Sequence, residues 1–202
     1  TLASEAGAAL ESGAHMLHVD VMDGHFVPNL SMGPAVTSAL RTHLPEAILD
    51  VHLMVDRPDE FVMPFVSAGA NHITIHIESQ VDHAAVADMI HSEGCTAGLA
   101  INPDTPVQQV RDLSTEFDLH LVMSVHPGYS GQAFIPEVLS KVTELRMILG
   151  ETAWIQMDGG VSPSTSEACR AAGCNMLVSA SAIFGSQSYG DSISALRGET
   201  SG

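Results

Sequence analysis

Aromatic side chains are scarce in this 202-residue sequence, at 4% against a hydrophobic fraction of 45%. A core of that composition has to be assembled from Ala, Val, Ile, Leu and Met, which suits helices packed on a sheet better than an all-β binding module. Basic residues are scarcer still: 7 Lys and Arg face 24 Asp and Glu, for a formal charge of −17. Such a surface repels nucleic-acid backbones and anionic membranes, so neither is expected as a partner. A small phosphorylated molecule stays in play, because backbone N–H groups and helix N-termini bind phosphate without lysine. The three cysteines, Cys95, Cys169 and Cys174, lack zinc-finger or thioredoxin spacing and read as small buried hydrophobes. No run approaches the ~20 apolar residues of a membrane helix, and no basic-then-apolar segment opens the chain, so the expected location is the cytoplasm.

What is present is a repeat of short apolar run, loop and amphipathic stretch. Strands are expected near Met16 to Val21, Ala47 to Met54, His72 to Ile77, Thr96 to Ile101, Leu119 to Val125, Trp154 to Met157 and Met176 to Val178. Between them, Pro34 to Thr42, Pro58 to Ala68, Val81 to Glu93, Pro106 to Leu113, Pro136 to Leu149 and Ser162 to Ala172 read as helices, most of them opening at Pro or Ser. Alternation at this length argues a parallel sheet, and seven strands in ~200 residues argue closure into an α/β TIM (β/α)8 barrel more than an open sheet. A doubly wound sheet is the alternative, weakened because no Gly-x-Gly-x-x-Gly follows the first strand. The chain opens on an Ala-rich helix-like stretch, Thr1 to Ser12, so the first strand of the barrel is missing from the sequence as read. An open seam of that kind would expose apolar edges that a second copy could cover, and a homo-oligomer is expected. The reading is of one barrel domain over 1–202, with 186–202 partly frayed because its end is rich in Gly, Ser and Thr.

Four residues carry the chemistry. His18 and Asp20, two apart on one strand, share a face; His52 and Asp158 stand at the C-terminal ends of two other strands. Barrel enzymes do their chemistry at those ends, and two imidazoles with two carboxylates make a reasonable set of ligands for one divalent ion such as Zn2+, Fe2+, Mn2+ or Co2+. His76, two residues before Glu78 at another strand end, either faces the same cavity or belongs to the packing around it. His15, His25, His43, His72, His83, His91 and His120 read as surface or structural.

A phosphate theme runs beside the metal theme. Gly128, Tyr129, Ser130 and Gly131 follow one strand, Gly159 and Gly160 follow the next, and Ala180 and Ser181 follow the last at the start of a short helix. Glycines let backbone amides approach an anion closely, and barrels of this type often build a phosphate site from their last loops. Met22, Met54 and Met123 end the same strands and are expected to form an apolar floor under the substrate.

The stretches His18-Val-Asp-Val-Met-Asp-Gly-His-Phe-Val-Pro-Asn-Leu30, Asp50-Val-His-Leu-Met-Val55, Met123-Ser-Val-His-Pro-Gly-Tyr-Ser-Gly-Gln132 and Met157-Asp-Gly-Gly-Val161 closely resemble the ribulose-phosphate 3-epimerase family, and the likeness runs from the first residues to about Phe184. The resemblance implies a TIM barrel that interconverts D-ribulose 5-phosphate and D-xylulose 5-phosphate, in the pentose phosphate pathway and Calvin cycle, by proton transfer at C3 through an enediolate. It implies His18, Asp20, His52 and Asp158 as metal ligands and Asp20 with Asp158 as the acid/base pair. His52, Asp158, Gly128 to Gly131, Gly159, Gly160, Ala180 and Ser181 are implied to contact the substrate or its phosphate. The sequence departs from the family in three places: the Pro-Ser pair of the family's first strand has no match, Ser130 stands where glycine is common, and Ala180 replaces a glycine. The alternatives are an epimerase of a six-carbon ketose phosphate, D-allulose 6-phosphate, and a non-catalytic barrel that binds metal or sugar phosphate.

Overall fold

The computed structural model describes residues 2–129 and 131–199. Helix α1 (Leu2–Glu11) leads into β1 (Leu17–Met22), and the chain then alternates through α2 (Pro34–His43), β2 (Leu49–Met54), α3 (Val62–Ser67), β3 (His72–His76), α4 (His83–Ser92), β4 (Thr96–Ile101), α5 (Gln108–Arg111), β5 (Leu119–Met123), α6 (Leu139–Leu149), β6 (Trp154–Asp158), α7 (Pro163–Ala172), β7 (Met176–Leu177), α8 (Ser181–Phe184) and α9 (Tyr189–Arg197). The seven strands lie in the order of the chain, every neighbouring pair parallel. This is the curled sheet of a (β/α)8 barrel in which the described residues supply seven strands, and β1 and β7 are not paired with each other. Helix α1 packs on α2, α8 and α9 across that side, tied there by the Arg197 guanidinium on the Gly13 carbonyl and by the Tyr189 hydroxyl on Glu5. No helix among the described residues is long and apolar enough to cross a membrane.

Alternation along the strands sorts the core into two parts. Outward-facing Val19, Val51, Leu53, Ile73, Ile75, Leu99 and Ile155 are sealed under the helices, while Ala100, Leu119, Leu121, Met123 and Val125 fill the inside of the curl. The inside is otherwise polar, with Asp50, His52, Thr74 and His76 fully buried. Helix ends follow the sequence signals: Asp82 accepts the Ala85 N–H at 3.2 Å to start α4, Ser162 and Thr165 form a capping box on α7, and Gly173 closes α7 at φ +118°.

Four elements differ from expectation, the first being the helix expected from Pro136, which opens as a 3-10 turn at Pro136–Val138 before α6. The helix expected over Pro58 to Ala68 is a 3-10 turn at Pro58–Glu60 followed by α3. Pro64 has no N–H to return to residue 60, so a continuous α-helix from 58 would break there, whereas a start at Val62 places Pro64 in the first turn, where an N–H is not used. The helix expected over Pro106 to Leu113 shrinks to Gln108–Arg111, because the turns on both sides close through i→i+3 bonds, Gln109 to Pro106 and Leu113 to Val110. Within the tail expected to be partly frayed over 186–202, Tyr189–Arg197 form α9. Its Ser188 is the cap, accepting the Asp191 N–H at 3.2 Å, and Ile193 and Leu196, three apart on one face, are buried; residues 200–202 lie outside the described residues.

His120, on the outward face of β5, is 2% exposed, and neither ring nitrogen has a hydrogen-bond partner among the described residues. Burial holds its pKa down at about 4 against 6.5 in the unfolded chain. Between those values the unfolded state binds the extra proton, so stability rises with pH through that window and is lost as pH falls from 6.5 toward 4, by about 3 kcal/mol at most. Comparing the pH dependence of urea unfolding for the parent and His120→Leu checks this: the variant's curve should be the flatter of the two by this one group, and equal slopes would contradict it.

Candidate active site and metal centre

Register decides which side chains meet. In the β1–β2 pairing Asp20 lies beside His52 and His18 beside Asp50, and in β5–β6 Met123 lies beside Asp158. His18 and Asp20 point inward from β1, His52 from β2 and Asp158 from the end of β6. One donor atom from each of these four residues lies within 4.8 Å of every other. His18 Nε2 is 3.2 Å from Asp20 Oδ1 and 3.9 Å from Asp158 Oδ2; His52 Nδ1 is 3.1 Å and 3.6 Å from the same atoms; and the two nitrogens are 3.4 Å apart.

A tetrahedral ion with donors at about 2.0–2.1 Å needs donor–donor edges of about 3.3–3.4 Å, the middle of the measured range. The donor types also fit: two imidazole nitrogens and two carboxylate oxygens, with the far nitrogen of each ring held from behind. His18 Nδ1 donates to Asp50 Oδ2 at 2.8 Å, and His52 Nε2 is 2.8 Å from His76 Nε2. Such backing of metal-binding histidines is what fixes their ring orientation. These four residues could hold a divalent ion.

The electrostatics separate the two carboxylates. Burial works against ionisation of Asp20, but the His18 and His52 rings outweigh it and hold the carboxyl far below its usual range. Asp158 is pushed the other way, by burial first and then by the neighbouring Asp20 charge. The two carboxyl groups are thus pushed in opposite directions, Asp20 toward the ionised form and Asp158 toward the protonated one. Burial lowers the His18 ring, yet Asp50 and Asp20 on either side more than compensate and raise it well above 6.5. His52 is held down to about 4, by burial above all. Asp50 goes down to about 2 in spite of burial, through His18 first.

Asp158 is strapped to β5. Ser124 donates its N–H to the Asp158 carbonyl at 2.7 Å and its hydroxyl to the Asp158 and Gly159 carbonyls at 2.9 and 2.5 Å. Gly159 sits at φ +108° and a Cβ there would fall 2.5 Å from Val125 Cγ2, so this close approach of the β5 and β6 loops needs glycine. Gly159→Ala should lower stability by about 2 kcal/mol or more, from left-handed strain plus overpacking; an unchanged urea midpoint would contradict the packing described here.

The candidate phosphate residues gather at the same end of the strands. Gly128 accepts from Asn29 Nδ2 at 2.6 Å, which ties its loop to the β1 loop, and the exposed Tyr129 donates its hydroxyl to the Pro28 carbonyl at 3.2 Å. Gly131, Gly159 and Gly160 all take positive φ. Ala180, at the head of α8 with Ser181, has φ −105°, so an alanine costs nothing in backbone strain where the family has glycine. Ser130 lies outside the described residues. Of the expected apolar floor, Met54 and Met123 are buried and Met22 is half-buried, and strand alternation puts all three on the inward face.

Sequence reasoning passed over Asp50 and Gln156. Asp50 is fully buried and takes His18 on one side and Gln156 Nε2 on the other, both at 2.8 Å. The signal was there: Asp50 is two residues before His52, and the rule that joined His18 to Asp20 places it on the same face.

Comparison with known proteins agrees with this geometry. The family model described as the ribulose-phosphate 3 epimerase family matches residues 1–184. A ribulose-phosphate 3-epimerase of Mycobacterium tuberculosis is 45% identical over 201 residues, covering 97% of this chain and 86% of that protein. The cytoplasmic isoform of ribulose-phosphate 3-epimerase from Oryza sativa subsp. japonica is 43% identical over 205 residues, covering 100% and 89%. Among solved structures, 3-hexulose-6-phosphate synthase superposes with a TM-score of 0.71 at 16% identity, over 96% of this chain and 91% of that one, a likeness of fold. The chain belongs to the ribulose-phosphate 3-epimerase family.

Proposed function

We propose that this chain interconverts D-ribulose 5-phosphate and D-xylulose 5-phosphate by proton transfer at C3, with a divalent ion held by His18, Asp20, His52 and Asp158. The observation that carries the reading is the pair of carboxylates, Asp20 and Asp158, that flank the same two imidazole nitrogens and whose proton affinities are pushed in opposite directions. Environments that push two carboxyl groups apart assign one as base and the other as acid. The ionised carboxylate takes the C3 proton, the C–H electron pair moves toward the C2 carbonyl, and the protonated carboxyl returns a proton to the other face of the planar carbon. The roles exchange in the reverse direction, so one site serves both sugars. When bound, a divalent ion supplies Lewis-acid stabilisation of the negative charge that develops on the sugar oxygens.

The remaining residues position the substrate. Met54 and Met123 form the dry floor under the reacting carbon, where exclusion of water strengthens every charge interaction above it. Gly128, Tyr129, Ser130, Gly131, Gly159, Gly160, Ala180 and Ser181 receive the phosphate through backbone N–H groups, in keeping with a chain so poor in basic side chains. The cytoplasm is the proposed location; the rice relative is named as a cytoplasmic isoform.

Initial rates on D-ribulose 5-phosphate and on D-allulose 6-phosphate, measured with zinc-loaded protein, test the substrate assignment. The five-carbon sugar should have the higher kcat/KM. A higher value on the six-carbon sugar would move the assignment to the longer substrate.

A further inference from the structure

Behind His52 stands a row of groups that the reaction itself does not use. His52 Nε2 is 2.8 Å from His76 Nε2, the two rings stacked with centroids 4.9 Å apart, and His76 Nδ1 is 3.0 Å from Glu78 Oε2. His52 and His76 are fully buried. The other oxygen of Glu78 accepts the Asn102 N–H at 2.8 Å and the Thr105 hydroxyl. That loop is held in turn by Lys141, whose ammonium donates to the carbonyls of Asn102, Pro103 and Thr105 at 2.8, 2.6 and 2.5 Å.

A carboxylate faces each end of the paired rings, Glu78 at His76 Nδ1 and Asp20 at His52 Nδ1 3.1 Å away, so donor and acceptor rules allow two opposite arrangements of the hydrogens, and Glu78 favours the one that leaves His52 Nδ1 open to an ion. A carboxylate only accepts, so the Nδ1 of His76 carries the hydrogen. The Nε2 of a neutral His76 is then an acceptor, and the hydrogen between the two rings belongs to His52 Nε2. In this Glu78-directed arrangement His52 Nδ1, the atom facing Asp20 and Asp158, presents a lone pair, the form that binds an ion.

We infer that Glu78, acting through His76, is a positioning residue that sets the tautomer of His52 so that its Nδ1 is free to bind a metal ion. The inference rests on the proposed metal site. It makes an unusual demand on substitutions at Glu78. In Glu78→Gln the amide oxygen stays with the Asn102 N–H and the Thr105 hydroxyl, and the amide NH2 turns to His76 Nδ1. His76 then carries its hydrogen on Nε2, His52 must accept there, and the His52 hydrogen is forced onto Nδ1, against the ion. Glu78→Ala imposes no such reversal, since water can accept from His76. The isosteric change is therefore the more damaging one, the opposite of what a space-filling role would give.

The test is Zn2+ affinity of the full chain, measured by competition with a chromophoric chelator, for the parent, E78Q and E78A. Loss of an outer partner of a ligand costs ~10–100-fold in metal affinity. The expected result is one Zn2+ bound by the parent, at least ~10-fold weaker binding by E78Q, and a smaller loss in E78A. A loss below ~10-fold in E78Q, or a loss in E78A equal to or larger than that in E78Q, overturns the positioning role and leaves the metal site standing. Failure of the parent itself to bind Zn2+ overturns the metal site, and this inference with it.

Discussion

Replacing Asp158 with asparagine lowers turnover by a factor of ~100 or more, the usual worth of a positioned proton donor or acceptor, and does so at saturating metal. Asparagine keeps the shape of the side chain and one oxygen, so the β6 strap through Ser124, which uses backbone carbonyls, is untouched. What disappears is a carboxyl group whose affinity for a proton is raised by burial and by the Asp20 charge. Asp20→Asn should lose a similar factor for the complementary reason, because an amide cannot accept the C3 proton. The signature to look for in rapid-mixing and steady-state assays is a fall in kcat with a much smaller change in KM, since both groups act on the reacting carbon more than on the phosphate. Near-normal turnover in either variant with metal bound would remove that residue from the acid/base pair.

The second large effect is loss of the ion. Extended chelation should abolish turnover, with recovery on adding back Zn2+ or Co2+. His52→Ala should abolish it without recovery at ordinary metal concentrations. The substitution removes one of four donors that lie within 4.8 Å of one another, and it leaves the Nε2 of buried His76 facing a cavity. Loss of a direct ligand exceeds the ~10–100-fold that an outer partner costs, so binding measured by metal analysis after gel filtration should be absent. Full activity in chelated protein would show that the four residues assemble for a reason other than metal.

These effects were legible in the sequence to different depths. His18 and Asp20 were joined by the two-residue period of a strand, and His52 and Asp158 by their place at the ends of apolar runs. The register that sets Asp20 beside His52 is a property of the β1–β2 pairing, which no local pattern encodes. Period-2 reasoning applied once more would have found Asp50 behind His18. It could not have found the Glu78 contacts to Asn102 and Thr105, which join residues 24 and 27 positions apart across a loop. The α9 helix was hidden for a different reason: its small polar residues are good caps and poor helix formers, and only packing of Ile193 and Leu196 makes the segment helical. The split helix at Pro58–Glu60 and Val62–Ser67, by contrast, follows from Pro64 and was readable in principle.

The positions of the carboxylates also bear on stereochemistry. In the proposed reaction one carboxyl group on each face of the planar C3 inverts it with no rotation of the sugar. A single-base site would instead return the proton to the face it left.

Solvent deuterium is the direct probe of proton transfer at C3, on which the whole proposed reaction depends. Zinc-loaded protein incubated with D-ribulose 5-phosphate in D2O and followed by proton NMR should replace the C3 hydrogen, and only that one, while D-xylulose 5-phosphate accumulates. Retention of the C3 hydrogen, or exchange at C1 in its place, would contradict the account.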